Sequence, residues 1–314
     1  MRILFILDPL DSIKTYKDTS YAMMQEAVAR GHRLAAMRQE DLIWQSGQVI
    51  CYAQDLELTG NDKDWYRVSG RRAMSPRDFD CIIMRKDPPF DMEYVYSTYL
   101  LELAEKEGTP VFNRPGAIRD FNEKLSIARF AQFIAPTLVT RHESLIRDFA
   151  DEHHDVILKP LDGMGGSSIF RTRHDDPNLG VIIETLTQLG RRTIMAQRFI
   201  AEISEGDKRV LVIDGDPVPY TLARIPKPGE NRGNLAAGGR GVAMPITPRE
   251  REIAETLGPE LKRCGLLLVG LDVIGGNLTE VNVTSPTCMR EIHDQTECNV
   301  ASIFIDALER NLAR

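Results

Sequence analysis

Short apolar runs bounded by polar punctuation open the chain and recur along it, separated by longer stretches suited to helices. Residues 3–7 are wholly apolar and include β-branched side chains, which predicts a strand buried on both faces. Asp18, Thr19 and Ser20 offer N-cap side chains for a helix running to Arg30, and Gly31 stops it. A second strand is expected over 33–37. This β-α-β opening predicts a parallel α/β lobe. Residues 41–74 are less regular, with turns at Gly47-Gln48 and Gly60-Asn61-Asp62, and read as a hairpin or insertion. A strand over 79–84, a helix over 93–106 and a short strand over 110–112 complete the lobe.

The pattern after Asn113 predicts a helix starting at 122–125, a strand at 136–140 and a helix at 143–151. A strand ending at Lys159 follows, then another beginning near Ile169, a helix over 178–189 and a strand over 193–199. Residues 207–213 and 218–225 pair around the turn Asp214-Gly215-Asp216. Thr247 and Glu250 cap a helix that runs to Cys264 and ends at Gly265. Residues 267–283 form a hairpin. The expected whole is an α/β (α+β) chain with an N-terminal parallel lobe over 1–121 and a second unit over 122–314, whose smaller lobe lies around 122–200.

Composition narrows the partners. With 314 residues, 42% hydrophobic and 27% charged, the chain is an ordinary globular one of two or three lobes. A net charge of −7 and the lack of a basic run leave no footprint for nucleic acid or anionic membranes, so small molecules or protein chains are the expected partners. Asp8 cuts the first apolar run too short for a signal segment, and a cytoplasmic location is expected. The cysteines Cys51, Cys81, Cys264, Cys288 and Cys298 have no C-x-x-C spacing and read as reduced thiols.

Candidate chemistry gathers at a few stretches. Lys159 ends an apolar strand, and Gly163, Gly165 and Gly166 then open a turn in which backbone N–H groups can approach a polyanion. The loop lacks the Gly-Lys-Ser/Thr of a Walker motif, and Ser168 stands where a dinucleotide fingerprint needs its third glycine. A glycine-rich hairpin with a solvated lysine would carry the same letters. Arg85 to Asp91 follow a buried strand at the end where open α/β sheets place ligand groups, or form a rigid proline turn beside solvated charges. Met195 to Ile200 mix apolar surface with backbone polar groups that suit a purine. Arg209 and Arg224 lie on the paired middle strands, where surface arginines would also fit.

Residues 226–241 hold five glycines and two prolines and predict a long lid or binding loop, whose Arg232 and Arg240 suit closure over phosphate or carboxylate groups. In the hairpin, a three-residue loop over 275–277 would set Ile274 against Leu278 and Asp272 against Glu280. Asp272, Glu280 and Asn282 then share one face. Facing carboxylates repel unless a cation lies between them, and oxygen donors of this kind suit Mg²⁺.

These stretches occur in the order expected of an ATP-grasp ligase. Residues 84–91, 157–167, 207–212, 232–241 and 281–287, together with Asp8-Pro9 and Lys17-Asp18, resemble bacterial glutathione synthetase over essentially the whole chain, thinning at 51–76 and after Cys298. The resemblance implies ATP-dependent joining of γ-glutamylcysteine to glycine through an acyl phosphate, with Mg²⁺ or Mn²⁺, in a homotetramer. By the resemblance, Lys124, Lys159 and the loop of Gly163, Met164, Gly165, Gly166 and Ser167 hold ATP phosphates, Gln197, Arg198, Phe199 and Ile200 lie at the adenine, and Asp162 and Asp207 also bind the nucleotide. Asp272, Glu280 and Asn282 bind metal, while Arg209, Arg224 and Arg232 serve catalysis. Arg85, Asp87, Ser285, Pro286, Thr287, Asn234 and Gly239 contact substrate. Two rival readings are a sister ligase with another acid and amine, and a catalytically silent nucleotide-binding regulator. A nicotinamide oxidoreductase lacks its glycine fingerprint after residue 7.

Overall fold

The computed structural model describes residues 1–163, 165–230, 233, 235 and 238–313. The parallel strands Arg2–Ile6, Arg33–Met37, Cys81–Met84 and Val111–Phe112 form the parallel part of the first sheet, as the opening pattern predicts, with Val111–Phe112 at its edge. Helix Thr19–Ala29 connects the first two, capped by Asp18, whose carboxylate accepts the Tyr21 N–H at 2.7 Å. The irregular stretch is an antiparallel extension. Strand Gln48–Leu58 runs beside Arg33–Met37 and carries Leu42–Gln45, Tyr66–Val68 and Arg72–Met74.

Two further antiparallel sheets follow. One has the order Phe170–Arg173, Asp155–Pro160, Ile194–Arg198, Thr137–Thr140. The other has the order Arg240–Pro245, Asp216–Ile225, Asp207–Ile213, Leu268–Ile274, Asn277–Asn282. Arg240 and Gly241, expected in the lid, belong instead to its edge strand, where backbone pairing with Ile225 and Arg224 outweighs the flexibility of glycine. The helix expected to start at 122–125 is a kinked 3₁₀ segment, Leu125–Phe133, and a short helix at Pro115–Asp120 was not foreseen.

Period-2 alternation sends the two faces of the five-stranded sheet to different cores. Val210, Val212, Val269, Leu271 and Val273 pack on helix Pro248–Arg263, whereas Leu211, Ile213, Leu222 and Leu268 join a core shared with Ile3 and Phe5 of the first lobe. The C-terminal helix Val300–Leu312 contributes Phe304, Ile305 and Leu308 to that shared core. Arg30 of the first lobe donates to Asp306 at 2.6 Å and Ser302 Oγ at 2.6 Å, so charge pairing seals the same seam. Asn113 joins the lobes a second time. Its amide donates to the carbonyls of Leu268 at 2.8 Å and Val283 at 2.7 Å and accepts the Leu268 N–H at 2.9 Å.

Candidate active site

The two antiparallel sheets and the first lobe enclose a cleft of about 290 Å³. On one wall, strand Asp155–Pro160 delivers Lys159, which is 5% exposed and lies 3.5 Å from Gln197 Oε1 on the neighbouring strand. Burial lowers the Lys159 pKa, against the opposing charge of Glu280. Lys124 donates to the Gly163 carbonyl at 2.5 Å and lies 3.5 Å from Glu280. The turn it grips needs its glycines. Gly165 and Gly166 have φ of 61° and 79°, and a Cβ on Gly163 would meet the Ser167 carbonyl oxygen at 3.2 Å.

Phe199 and Ile200 follow the strand of Gln197 and line the same cleft, with Arg198 beside them. Ile157, Ile169, Ile203 and Ile274 complete an apolar slot there. These isoleucines were not among the expected site residues. Their letters are those of any core strand, and only the meeting of two sheets turns them toward one space.

The opposite wall holds a buried chain of charges. Arg209 donates to Asp272 through Nε at 2.5 Å and Nη2 at 3.1 Å. Arg224 Nη2 reaches Asp272 at 2.8 Å and Asp207 at 2.5 Å. Gly270 makes room for Arg209, since a Cβ there would lie 2.8 Å from Arg209 Cδ. Burial would raise the Asp272 pKa, but the two guanidiniums outweigh it and hold the group well below the usual carboxylate range. Burial pushes Asp207 up to about 6, the shared Arg224 opposing and the charges of Asp272 and Glu280 adding. The cation expected between facing carboxylates is thus supplied to Asp272 by protein.

The hairpin reaches its expected face by an unexpected route. Ile274 pairs with Asn277 across a two-residue turn, Gly275-Gly276, and a bulge at Thr279 restores Asp272 opposite Glu280. The bulge lets Leu278 and Val281, three positions apart, enter the same core, which strict alternation forbids. Glu280 and Asn282 line the cleft, and Asp272 stands one layer behind them. Among the described residues no three His, Cys, Asp or Glu side chains gather as a ready cation cage. The two carboxylates and the Asn282 amide nevertheless fit a hard cation that keeps water or phosphate oxygens for its remaining positions. Glu123, unremarked in the sequence beyond its helix start, also lines the cleft and accepts the Thr284 hydroxyl at 2.8 Å. Burial and then the Glu280 charge raise its pKa, against the Thr284 hydroxyl and the charges of Lys124 and Arg209.

At the first-lobe end, buried Arg85 donates to Ser20 Oγ at 3.0 Å and to the Pro286 carbonyl at 3.1 Å. Ser285 donates to Asp87, whose own N–H donates to Asp8 at 2.9 Å. Asp87, Ser285, Pro286 and Thr287 line the cleft, and Arg85 supports them from behind. Asp162 pairs with Arg192 at the surface, beside a smaller recess under Phe90 and Phe121. Ser167 and Gly239 are not part of the cleft wall, and a Cβ on Gly239 would meet the Gly233 carbonyl oxygen at 2.3 Å. Met164, Arg232 and Asn234 lie outside the described residues.

One cleft gripped between two antiparallel sheets, with lysines and a glycine turn on one and guanidinium–carboxylate chemistry on the other, defines an ATP-grasp ligase. It uses ATP and, as such ligases do, a divalent metal. The N-terminal domain of prokaryotic glutathione synthetase matches residues 1–119 and its ATP-grasp domain residues 123–297. The chain belongs to the prokaryotic glutathione synthetase family. It is 62% identical to the glutathione synthetase of Nitrosomonas europaea over 317 aligned positions, covering 100% of this chain and 99% of that protein. It is 53% identical to that of Pseudomonas aeruginosa, covering 100% and 99%. Among solved structures, a D-cycloserine synthetase superposes with a TM-score of 0.70 at 15% identity, covering 99% of each chain. D-alanyl-alanine synthetase A of Vibrio cholerae gives 0.61 at 13% identity, covering 100% of this chain and 98% of that one. These two likenesses bear on the fold. No helix among the described residues is long and apolar enough to cross a membrane.

Proposed function

We propose that the chain joins γ-glutamylcysteine to glycine, consuming ATP and releasing glutathione, ADP and phosphate. The reading rests on one arrangement: a buried lysine and glycine turn faces a pair of carboxylate-held arginines across a single cleft. A carboxylate is too stabilised for an amine to attack, so the cysteinyl carboxylate first takes the γ-phosphoryl group. The amine of glycine then adds to the acyl phosphate, and the tetrahedral intermediate expels phosphate.

Lys124, Lys159 and the turn 163–167 hold the phosphates, and residues 197–200 with the isoleucine slot receive the adenine. Arg209 and Arg224 spend Nε and Nη2 on protein partners, which leaves Nη1 of each for developing negative charge. Anchoring by Asp272 fixes those guanidiniums before reaction, so little reorganisation is needed as charge develops. Mg²⁺, or Mn²⁺ in its place, held by Asp272, Glu280 and Asn282, offsets phosphate charge. Asp87 and the Ser285–Thr287 segment, backed by Arg85, bind the substrate, and Ser285–Thr287 help fix the peptide or glycine carboxylate. The lid, 226–239 with Arg232, excludes water that would hydrolyse the acyl phosphate.

Units 1–121 and 122–314 act as substrate-binding and ATP-grasp parts, in a cytoplasmic homotetramer. The test is Mg²⁺-dependent phosphate release with γ-glutamylcysteine and glycine supplied singly and together, the product identified by mass. Turnover and glutathione only with both substrates is the expected result. Nucleotide binding without turnover would overturn the reading and favour another acid–amine pair.

A further inference from the structure

The paired strands Asp155–Pro160 and Phe170–Arg173 carry the glycine turn at one end and histidines at the other. His153 ends helix Glu143–His153, and its ring packs on Phe149 with centroids 4.3 Å apart. His154 caps that helix with a φ of 62°, where glycine or asparagine is the usual residue. His174 follows strand Phe170–Arg173, and its N–H donates to the His154 carbonyl at 3.1 Å. That bond sets two exposed imidazoles side by side, their centroids 5.0 Å apart and their planes 60° from one another. Among the described residues the His154 ring has no hydrogen-bond or ion-pair partner.

We propose that His154 and His174 together bind one divalent transition-metal ion of the Cu²⁺, Ni²⁺ and Zn²⁺ class, with water completing its shell. A ring nitrogen binds such an ion at about 2.0–2.1 Å, and the ring centre lies about 1.1 Å behind it, so each centroid sits roughly 3.2 Å from the ion. Two imidazoles meeting at a ligand angle of roughly 90–110° then have centroids roughly 4.5–5.2 Å apart, a range that contains the observed 5.0 Å. Tilted planes, unlike stacked ones, let both rings aim a nitrogen at one point. His174 Nδ1 lies 3.9 Å from Asp151 Oδ1 on the helix, and both side chains are exposed enough to close that gap by a small rotation. A metal-bound imidazole turns its second nitrogen to a carboxylate in this way, which fixes the ring and leaves Nε2 for the ion. Charge also favours a cation. Asp151, Glu152, Asp155, Asp175 and Asp176 flank the two histidines in the chain. The nearby Arg171 and Arg173 are paired with Asp155 at 2.6 Å and Asp175 at 3.7 Å, so the remaining carboxylates are in excess.

The bound ion ties the end of helix Glu143–His153 to the end of strand Phe170–Arg173 and stabilises the small lobe, since the unfolded chain does not hold the pair together. Two imidazoles are half the ligand set of a structural zinc site, which puts the dissociation constant on the order of 10 µM. Affinity should be highest for Cu²⁺ and lower for Ni²⁺ and Zn²⁺. Mg²⁺, which prefers oxygen donors, should not compete. Neither histidine lines the cleft, so the inference stands apart from the ligase reading.

The test titrates the full chain, stripped with EDTA and then held in excess Mg²⁺, with CuCl₂, NiCl₂ or ZnCl₂ by calorimetry. The Cu²⁺ form is read by electron paramagnetic resonance. One equivalent bound, a raised unfolding temperature and splitting from two ring nitrogens are expected. His154→Asn and His174→Asn should each weaken binding by roughly tenfold or more, with Mg²⁺-dependent ligation kept within about twofold. His32→Asn is the control, because His32 Nδ1 lies 3.2 Å from the amino terminus, another place where two nitrogens meet. No binding by the wild type, binding that survives both variants, loss of binding in His32→Asn, or a copper signal from oxygen ligands alone would each overturn the inference.

Discussion

Replacing Asp272 by asparagine keeps the volume of the side chain and removes the charge that two buried guanidiniums share. Asp272, Arg209 and Arg224 have side chains 3%, 8% and 4% exposed, so water cannot take over the lost role. Of the three contacts made by the Asp272 carboxylate, those from Arg209 are two and that from Arg224 is one. After the change Asp207 still pairs with Arg224, Arg209 loses its carboxylate partner, and the new amide turns an N–H₂ toward a guanidinium. Breaking a buried pair by removing one partner typically costs 3–5 kcal/mol, and because Asp207 remains, about 3 kcal/mol is expected here. Urea unfolding in the absence of nucleotide and divalent metal reads this loss directly, apart from any part Asp272 plays in holding a cation. The same variant assayed for ligation should fall further than its stability explains, since Arg209 and Arg224 lose their anchor. A loss below about 1 kcal/mol would refute the argument that Asp272 is the counter-charge of the site.

Three further outcomes follow from the same geometry. Arg209→Ala should slow the chemical step roughly 10²-fold, the usual worth of one donor to a developing oxyanion, and near-normal turnover in a single-turnover assay would remove Arg209 from that role. Asp207 has a folded pKa of about 6 against the 3.8 of an ordinary aspartate, so its contribution to stability is full below 3.8 and is lost as pH rises through about 6. Asp207→Asn should flatten that part of the stability–pH curve, whereas Asp272, whose pKa is lowered, contributes stability that is lost only as pH falls below 3.8. Asn113→Ala strands the Leu268 N–H and two carbonyls at the joint between lobes. It should lower stability by roughly 3 kcal/mol in urea, and an unchanged midpoint would mean that the joint does not depend on this amide.

Local chemistry carried much of the architecture. The Asp18 cap, the Thr247–Glu250 capping box and the Asp214-Gly215 turn act within a few residues and were legible for that reason. The candidate site was legible where one short stretch holds its own logic, as at Lys159 with its glycines and at the facing Asp272 and Glu280. The bulge at Thr279 was not, because its cause is a core packed by Leu278 and Val281 against a distant helix. Glu123 likewise becomes a cleft residue only when Thr284, far along the chain, meets it.

The amino-acid sequence by itself determined most of the strands and helices, which turns require glycine and which family the chain resembles. Periodicity, capping and motif order are properties of neighbouring residues. Tertiary structure alone decided that Arg209 and Arg224 neutralise Asp272, that the C-terminal helix seals the first lobe, and that Met92, Tyr96 and Tyr99 form an uncovered face. Each depends on groups distant in the chain meeting in a low-dielectric interior or being left outside it, where burial sets the strength of a charge pair and the meaning of an apolar side chain.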